Sequence, residues 1–190
     1  MDEDPIEERM REAIIGEIEP RAVVIADYDI AWPERFRQEE AKIRSALGWT
    51  ALSVEHVGST SVPGLAAKPI VDILLVVEDS GDEASYLPAM EEAGYVLRVR
   101  EPDWHEHRMF KTPEKDVHIH VFSTGSGEIR RLILLRKHLR AVEGDRELYA
   151  ATKRELAVRD WPSVQHYADA KTEVIEGILA RAASESSRED

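Results

Sequence analysis

Hydrophobic positions along the chain change period twice. After a charged opening, "WPERFRQEEAKIRSALG" sets Phe36, Ile43 and Leu47 on one helical stripe, with Pro33 in the first turn and Gly48 at the end. "ALSVEHV" then has short strand character, and "GSTSVPGLAAK" reads as a turn followed by about one helical turn. "PIVDILLVV" carries β-branched residues without alternation, the pattern of a strand buried on both faces. "GDEASYLPAMEEAG" predicts a helix shortened or kinked by Pro88. "YVLRVR" predicts another strand, and "HRMFKT" and "DVHIHVF", joined by "PEK", predict a hairpin. Beyond Gly127 the spacing turns helical for good, in "EIRRLILLRKHLRAV", "DRELYAATKRELAVRD" and "SVQHYADAKTEVIEGILARAA".

This order predicts an α+β fold with a mixed sheet and a helical C-terminal segment. Residues 1–20 form a charged lead-in with a short helix from Pro5 to Ile18, and residues 21–183 form one domain. Within it the sheet core spans about 21–126 and the helical segment about 127–183; "SESSRED", 184–190, is a polar tail. The length of 190 residues suits one such domain, and an apolar content of 43% makes the chain globular. No window approaches about 18 uninterrupted apolar residues, so no membrane span is expected. The acidic opening lacks a signal-peptide pattern. With no cysteine, disulfide and thiolate chemistry are excluded, which fits a cytoplasmic protein. The net charge of -13 argues against broad, non-specific nucleic-acid binding, while a local basic cluster can still hold one nucleotide.

The chemistry concentrates in "EHVGSTSVPGLAAKPIVDILLVV". A lone carboxylate, Asp72, heads an apolar strand, where an uncompensated charge is costly. Gly58-Ser59, twelve residues, then Asp72 on a strand resembles the nucleotidyltransferase signature of the DNA polymerase β superfamily. There a glycine lets backbone amides approach phosphates, a helix start favours the anion, and carboxylates two apart on a strand hold Mg²⁺. No Walker A loop, GxSxG elbow or GxGxxG fingerprint occurs.

The longer set of strings, "EHVGSTSVPGLAAKPIVDI", "VHIHVF", "RRLILLRKHLR", "YAATKRELA" and "Y..AKTEVIEGILARA", resembles the GrpB (UPF0157) family from roughly Ile25 to Ala183. The resemblance implies a nucleotidyltransferase-like fold. It also implies a link to dephospho-CoA kinase, to which such domains are found fused. In one respect the chain departs from the superfamily pattern: Leu74 stands where a second acid is usual, so the strand supplies one metal-binding carboxylate.

In "VHIHVF", His118 and His120 share a face. If this strand lies beside that of Asp72, the three form a divalent-metal site, for Mg²⁺ or Mn²⁺ first and Zn²⁺ or Fe²⁺ next. Alternatively the histidines bind phosphate or act as acid and base. Gly58, Ser59, Thr60, Lys68, Arg131 and Arg136 are the candidate phosphate-binding residues, against solvated or turn-forming roles. Thr60 or Ser61 caps the short helix, and His56 serves either the site or a structural hydrogen bond. Tyr167 and Lys171, four apart, share a helix face and either frame a ligand or pack at the core edge. His107 matches a family position, and His105 is a surface residue. Three functions follow as alternatives: nucleotidyl transfer with a nucleotide or phosphorylated small molecule, a catalytically inactive nucleotide- or coenzyme A-precursor-binding module, and a metal-dependent phosphohydrolase.

Overall fold

A computed structural model describes residues 4–16 and 23–189. Helix α1, Pro5–Ala13, is capped by Asp4, whose side chain accepts from the Ile6 amide. It does not continue toward Ile18. Ile14 instead forms a β-bridge with Val99, and Ile18 lies outside the described residues. Helix α2 is Trp32–Leu47, with proline in its first turn and Gly48 closing it at φ 53°. Strand β1, Ser53–Val57, leads through a 3-10 turn, Ser59–Ser61, to β2, Val71–Val77. Then come α3, Leu87–Glu92, and the strands β3, Val96–Glu101, β4, His107–Lys111, and β5, Val117–Ser123. The C-terminal helices are α4, Gly127–Ala141, α5, Glu143–Ala157, α6, Val164–Asp169, and α7, Thr172–Glu189.

Of the two effects expected of Pro88, shortening and kinking, the helix shows the first: α3 begins at Leu87 with Pro88 in its first turn, where the missing N–H costs nothing. Two further expectations change. The third C-terminal stretch is broken between Asp169 and Thr172 into α6 and α7. The "SESSRED" tail is helical through Glu189.

The sheet runs β1-β2-β5-β4-β3. β2 and β5 are parallel, and every other neighbouring pair is antiparallel. The fold is therefore α+β with a mixed sheet. The β2–β5 register pairs Asp72 with His118, Leu74 with His120 and Val76 with Phe122. Alternation then divides the two faces. Ile73, Leu75, Ile119 and Val121 enter the main core with Ile43 and Leu47 of α2 and Met90 of α3. On the opposite face Val57, Leu74, Val76 and Phe122 pack under Ile129, Leu132 and Ile133 of α4. A third cluster ties Val62 and Leu65, just after the 3-10 turn, to Leu139 of α4, Tyr149 of α5 and Ile178 of α7. The helical segment thus clamps the turn onto the face that carries Asp72. Among the described residues no helix is long and apolar enough to cross a membrane.

Leu74 is on the same face as Asp72 and is 0% exposed. The position two residues after Asp72 on that face is apolar core. Leu74→Ala should cost about 2–5 kcal/mol through the lost methylenes and the cavity left behind. Leu74→Asp should cost more, by leaving an unpaired charge under α4. Chemical denaturation of both variants checks this; a tolerated aspartate would mean that α4 can lift off the strand.

Candidate functional site

The site begins with the register of two parallel strands. Asp72 and His118 are cross-strand partners near the start of β2 and β5, and His120 follows two residues later on the same face. Their ligand atoms lie within 4.8 Å of one another. Asp72 Oδ1 is 3.7 Å from His118 Nδ1 and 3.6 Å from His120 Nε2, beyond hydrogen-bond range in both cases. The side chains are 30%, 18% and 27% exposed respectively, so all three are reachable and none is fully solvated.

The charge states suit a cation. Burial raises the Asp72 pKa, but His120, His118 and Lys68 outweigh it and hold the carboxyl below its ordinary value. Burial drives His118 down to about 3, with Asp72 opposing, so its imidazole is neutral at pH 7. Two imidazoles and a carboxylate form a donor set that fits one divalent ion.

Gly58 closes one wall. Its φ of 68° and ψ of -173° lie in a region open essentially to glycine alone. A Cβ there would stand 2.4 Å from Asp72 Oδ2. The turn that follows is held from outside. Ser61 Oγ donates to Gly58 O at 2.6 Å, and the Arg140 guanidinium donates to Ser61 O at 2.6 and 3.0 Å. Thr60 Oγ1 is 3.0 Å from His56 Nε2, and the His56 ring stacks on Phe36 at 4.9 Å. Burial, aided by Arg140 and Arg136, pushes His56 down to about 4 against the pull of Asp72. Thr60 and His56 are thus engaged with each other. The turn is a single three-residue 3-10 turn, so the expected helix start reduces to local backbone groups.

Basic residues surround this wall, though not all of the expected ones. Lys68 acts on Asp72 and lies 5.6 Å over the Tyr167 ring. Lys171 lies 4.6 Å over the same ring, although a helix break, not a shared helix, joins it to Tyr167. Tyr167 is fully buried, and its hydroxyl is without a hydrogen-bond partner. Arg131 and Arg136 are not brought to Asp72. Arg131 pairs with Glu176 of α7 and with Glu128, and Arg136 donates to His56 O and Glu55. Both are drawn off by nearer acceptors, and they brace helices and strand instead. His105 is exposed, as expected.

The residue that sequence reasoning missed is Lys153 of α5. It is 2% exposed, donates to Ala66 O and lies 2.9 Å from Ser59 Oγ. Its ammonium also stands 4.5 Å over the Tyr149 ring. Burial, with Lys171 and Arg154 nearby, lowers its pKa to about 7, while Asp72 opposes. Burial and Lys68 likewise bring Lys171 down to about 8. The signal was present: Lys153 falls on the apolar stripe of Tyr149 and Leu156, where a lysine is out of place. In a chain of net charge -13, three lysines around one carboxylate make a local positive field.

A family model described as GrpB protein matches residues 22–181. The chain belongs to the GrpB family. A UPF0157 protein of Halalkalibacterium halodurans is 53% identical over 178 residues, 93% of this chain and 91% of that protein. The crystal structure of the conserved protein GrpB from Enterococcus faecalis aligns with a TM-score of 0.76 and 32% identity, over 86% of this chain and 99% of that one. The GrpB chain also aligns with the Cid1 poly(U) polymerase at a TM-score of 0.43 and 13% identity, over 78% of this chain and 47% of that one, which bears on nothing further. A dephospho-CoA kinase of Mycolicibacterium paratuberculosis shares 36% identity over 70 residues, 35% of this GrpB chain and 17% of that protein.

Gly58→Ala tests how closely the wall is built. The strained backbone alone should cost about 1–3 kcal/mol, and the methyl group should push the Asp72 carboxylate aside. Thermal unfolding and a divalent-metal titration on the same variant should both report loss. Retention of both would contradict the close approach of Gly58 to Asp72.

Proposed function

We propose that this protein binds a nucleoside triphosphate, or a related phosphorylated small molecule, together with one divalent cation, and transfers the nucleotidyl group to an acceptor. The observation that carries the reading is the concentration of Lys68, Lys153 and Lys171 about Asp72, beside His118 and His120. Asp72, His118 and His120 would hold the cation. Once bound, it supplies Lewis-acid polarisation of a phosphoryl oxygen.

The rest of the chemistry falls to the chain itself. Lys153 and Lys171 neutralise phosphate oxygens as point charges, and Ser59, already in contact with Lys153, adds a hydroxyl. Gly58, by lacking a side chain, leaves room for the Asp72 carboxylate against the turn. The acceptor oxygen bonds to the α-phosphorus while the bond to pyrophosphate breaks, and the acceptor proton passes to solvent. A coenzyme A precursor belongs among the ligands to test, given the partial match to dephospho-CoA kinase. A cytoplasmic location, where such ligands are made, is part of the same proposal.

Leu74 favours a second reading, a binding module that keeps the ligand site without turnover, because β2 offers one carboxylate where the two-cation mechanism uses several. Calorimetry separates binding from none, and pyrophosphate release separates an enzyme from a module. Heat with neither ATP nor dephospho-CoA, with Mg²⁺ or Mn²⁺ present, would sink both.

The lysines also set a pH dependence. Both pKa values are lowered, to about 7 and about 8, so the ammonium forms fill as pH falls through that range. Phosphate-ligand affinity should therefore be higher at pH 6 than at pH 9. Lys153→Met should weaken binding about tenfold or more and flatten that profile, since a charge-assisted hydrogen bond contributes roughly 1.5–3 kcal/mol. Affinity that is independent of pH in the wild-type protein would remove the lysines from the site.

A further inference from the structure

His120 has a second ring nitrogen, and it is spoken for. His120 Nδ1 is 3.0 Å from His107 Nε2, and His107 Nδ1 is 2.7 Å from Glu101 Oε2. Glu101 and His107 are cross-strand partners where β3 and β4 meet. His107 is buried, stacked on Phe122 at 4.8 Å and 21° and met edge-on by Trp104 at 5.3 Å. The turn between the two strands is anchored as well. Glu106 O accepts from Ser80 Oγ at 2.9 Å and from Arg108 Nη1 at 2.9 Å.

The hydrogen-bond directions follow from the ends of this chain. A carboxylate only accepts, so His107 Nδ1 carries the hydrogen. Bonded to Glu101 through Nδ1–H, His107 presents Nε2 to His120 as an acceptor. His120 Nδ1 donates to it, and a neutral His120 then has its lone pair on Nε2, the atom that a cation beside Asp72 would take. Nε2 and Asp72 Oδ1, 3.6 Å apart, are too far for a direct N–H···O bond and leave a cation room to lie between them.

We propose that Glu101 and His107 are positioning residues that lock His120 as an Nε2 donor, so that the Asp72–His118–His120 centre takes a first-row transition ion in preference to magnesium. The inference rests on the cation site of the proposed function. Two imidazole nitrogens and one carboxylate suit manganese, iron, cobalt or zinc, whereas magnesium demands oxygen ligands in a strict octahedron. The Glu101–His107–His120 series also supplies the outer hydrogen bond that metal-bound histidines commonly make.

The test uses the full chain, stripped with a chelator and titrated with Co²⁺, Zn²⁺ and Mg²⁺, with the visible ligand-field bands of Co²⁺ as the second readout. Co²⁺ should bind one per chain, about 100-fold or more tighter than Mg²⁺. His107→Phe keeps the stack on Phe122 but removes the acceptor; it should weaken Co²⁺ by about 10–100-fold and shift the bands. Glu101→Ala should do the same, and Glu101→Gln, which retains an acceptor oxygen, should recover most of the loss. Should His107→Phe fail to fold, the Glu101 pair decides alone. Tight Co²⁺ binding unchanged in these variants overturns the positioning role and leaves the cation site standing. Mg²⁺ binding as tightly as Co²⁺ overturns the metal preference. No binding of any ion to the wild-type protein overturns the cation site, and this inference with it.

Discussion

The parallel pairing of β2 and β5 governs everything at the site. In that register Asp72 and His118 are opposite one another, and alternation sends His120 to the same face. A slip of one residue would turn both histidines into the main core and expose Ile119 in their place. The register is held from both sides of the sheet. Ile73 and Ile119 are locked under α2 and α3, while Leu74 and Phe122 are locked under α4. The polar row therefore inherits its geometry from apolar packing on strands that are otherwise almost wholly buried.

The acidic surface and the basic site are compatible because they act over different distances. Most of the acidic excess is carried by exposed side chains, screened by salt beyond about 8–10 Å. Lys68, Lys153 and Lys171 instead lie about one carboxylate in partly dehydrated surroundings. Burial first, and neighbouring cations next, lower the pKa values of Lys153 and Lys171, while Asp72 opposes. Within the chain Ala66 O, Ser59 Oγ and the Tyr149 ring compensate the buried Lys153 ammonium in part.

Much of this was legible in the sequence because it followed strong patterns. The apolar run ending at Val77, the "VHIHVF" alternation and the α2 stripe each have one period and no competitor, and the expected elements form there. Strand alternation set His118 and His120 on one face, but their meeting with Asp72 was conditional on the two strands lying side by side, which the β2–β5 pairing provides. What was hidden depends on pairings between distant elements. Arg131 and Arg136 looked like phosphate ligands, but Glu176, Glu55 and the His56 carbonyl lie nearer, and no local pattern reveals that. Lys153 was masked by a helix that reads as ordinary, with only its place on the apolar stripe as a clue. The tie from His107 to Glu101 depends on how β3 meets β4.

Leu74, two residues after Asp72 on the same face, limits what that face can carry. It is 0% exposed and packed against Val57, Val76 and Phe122, with α4 seated over it. The adjacent residue across the sheet, paired with Leu74, is His120. The apolar filling and the imidazole are thus neighbours in one register. An acid at residue 74 would have to displace the packing that holds α4. His120 instead reaches the Asp72 centre from the next strand, with its outer nitrogen already tied to His107. The apolar packing at Leu74 and the imidazole of His120 are, in physical terms, two sides of one register.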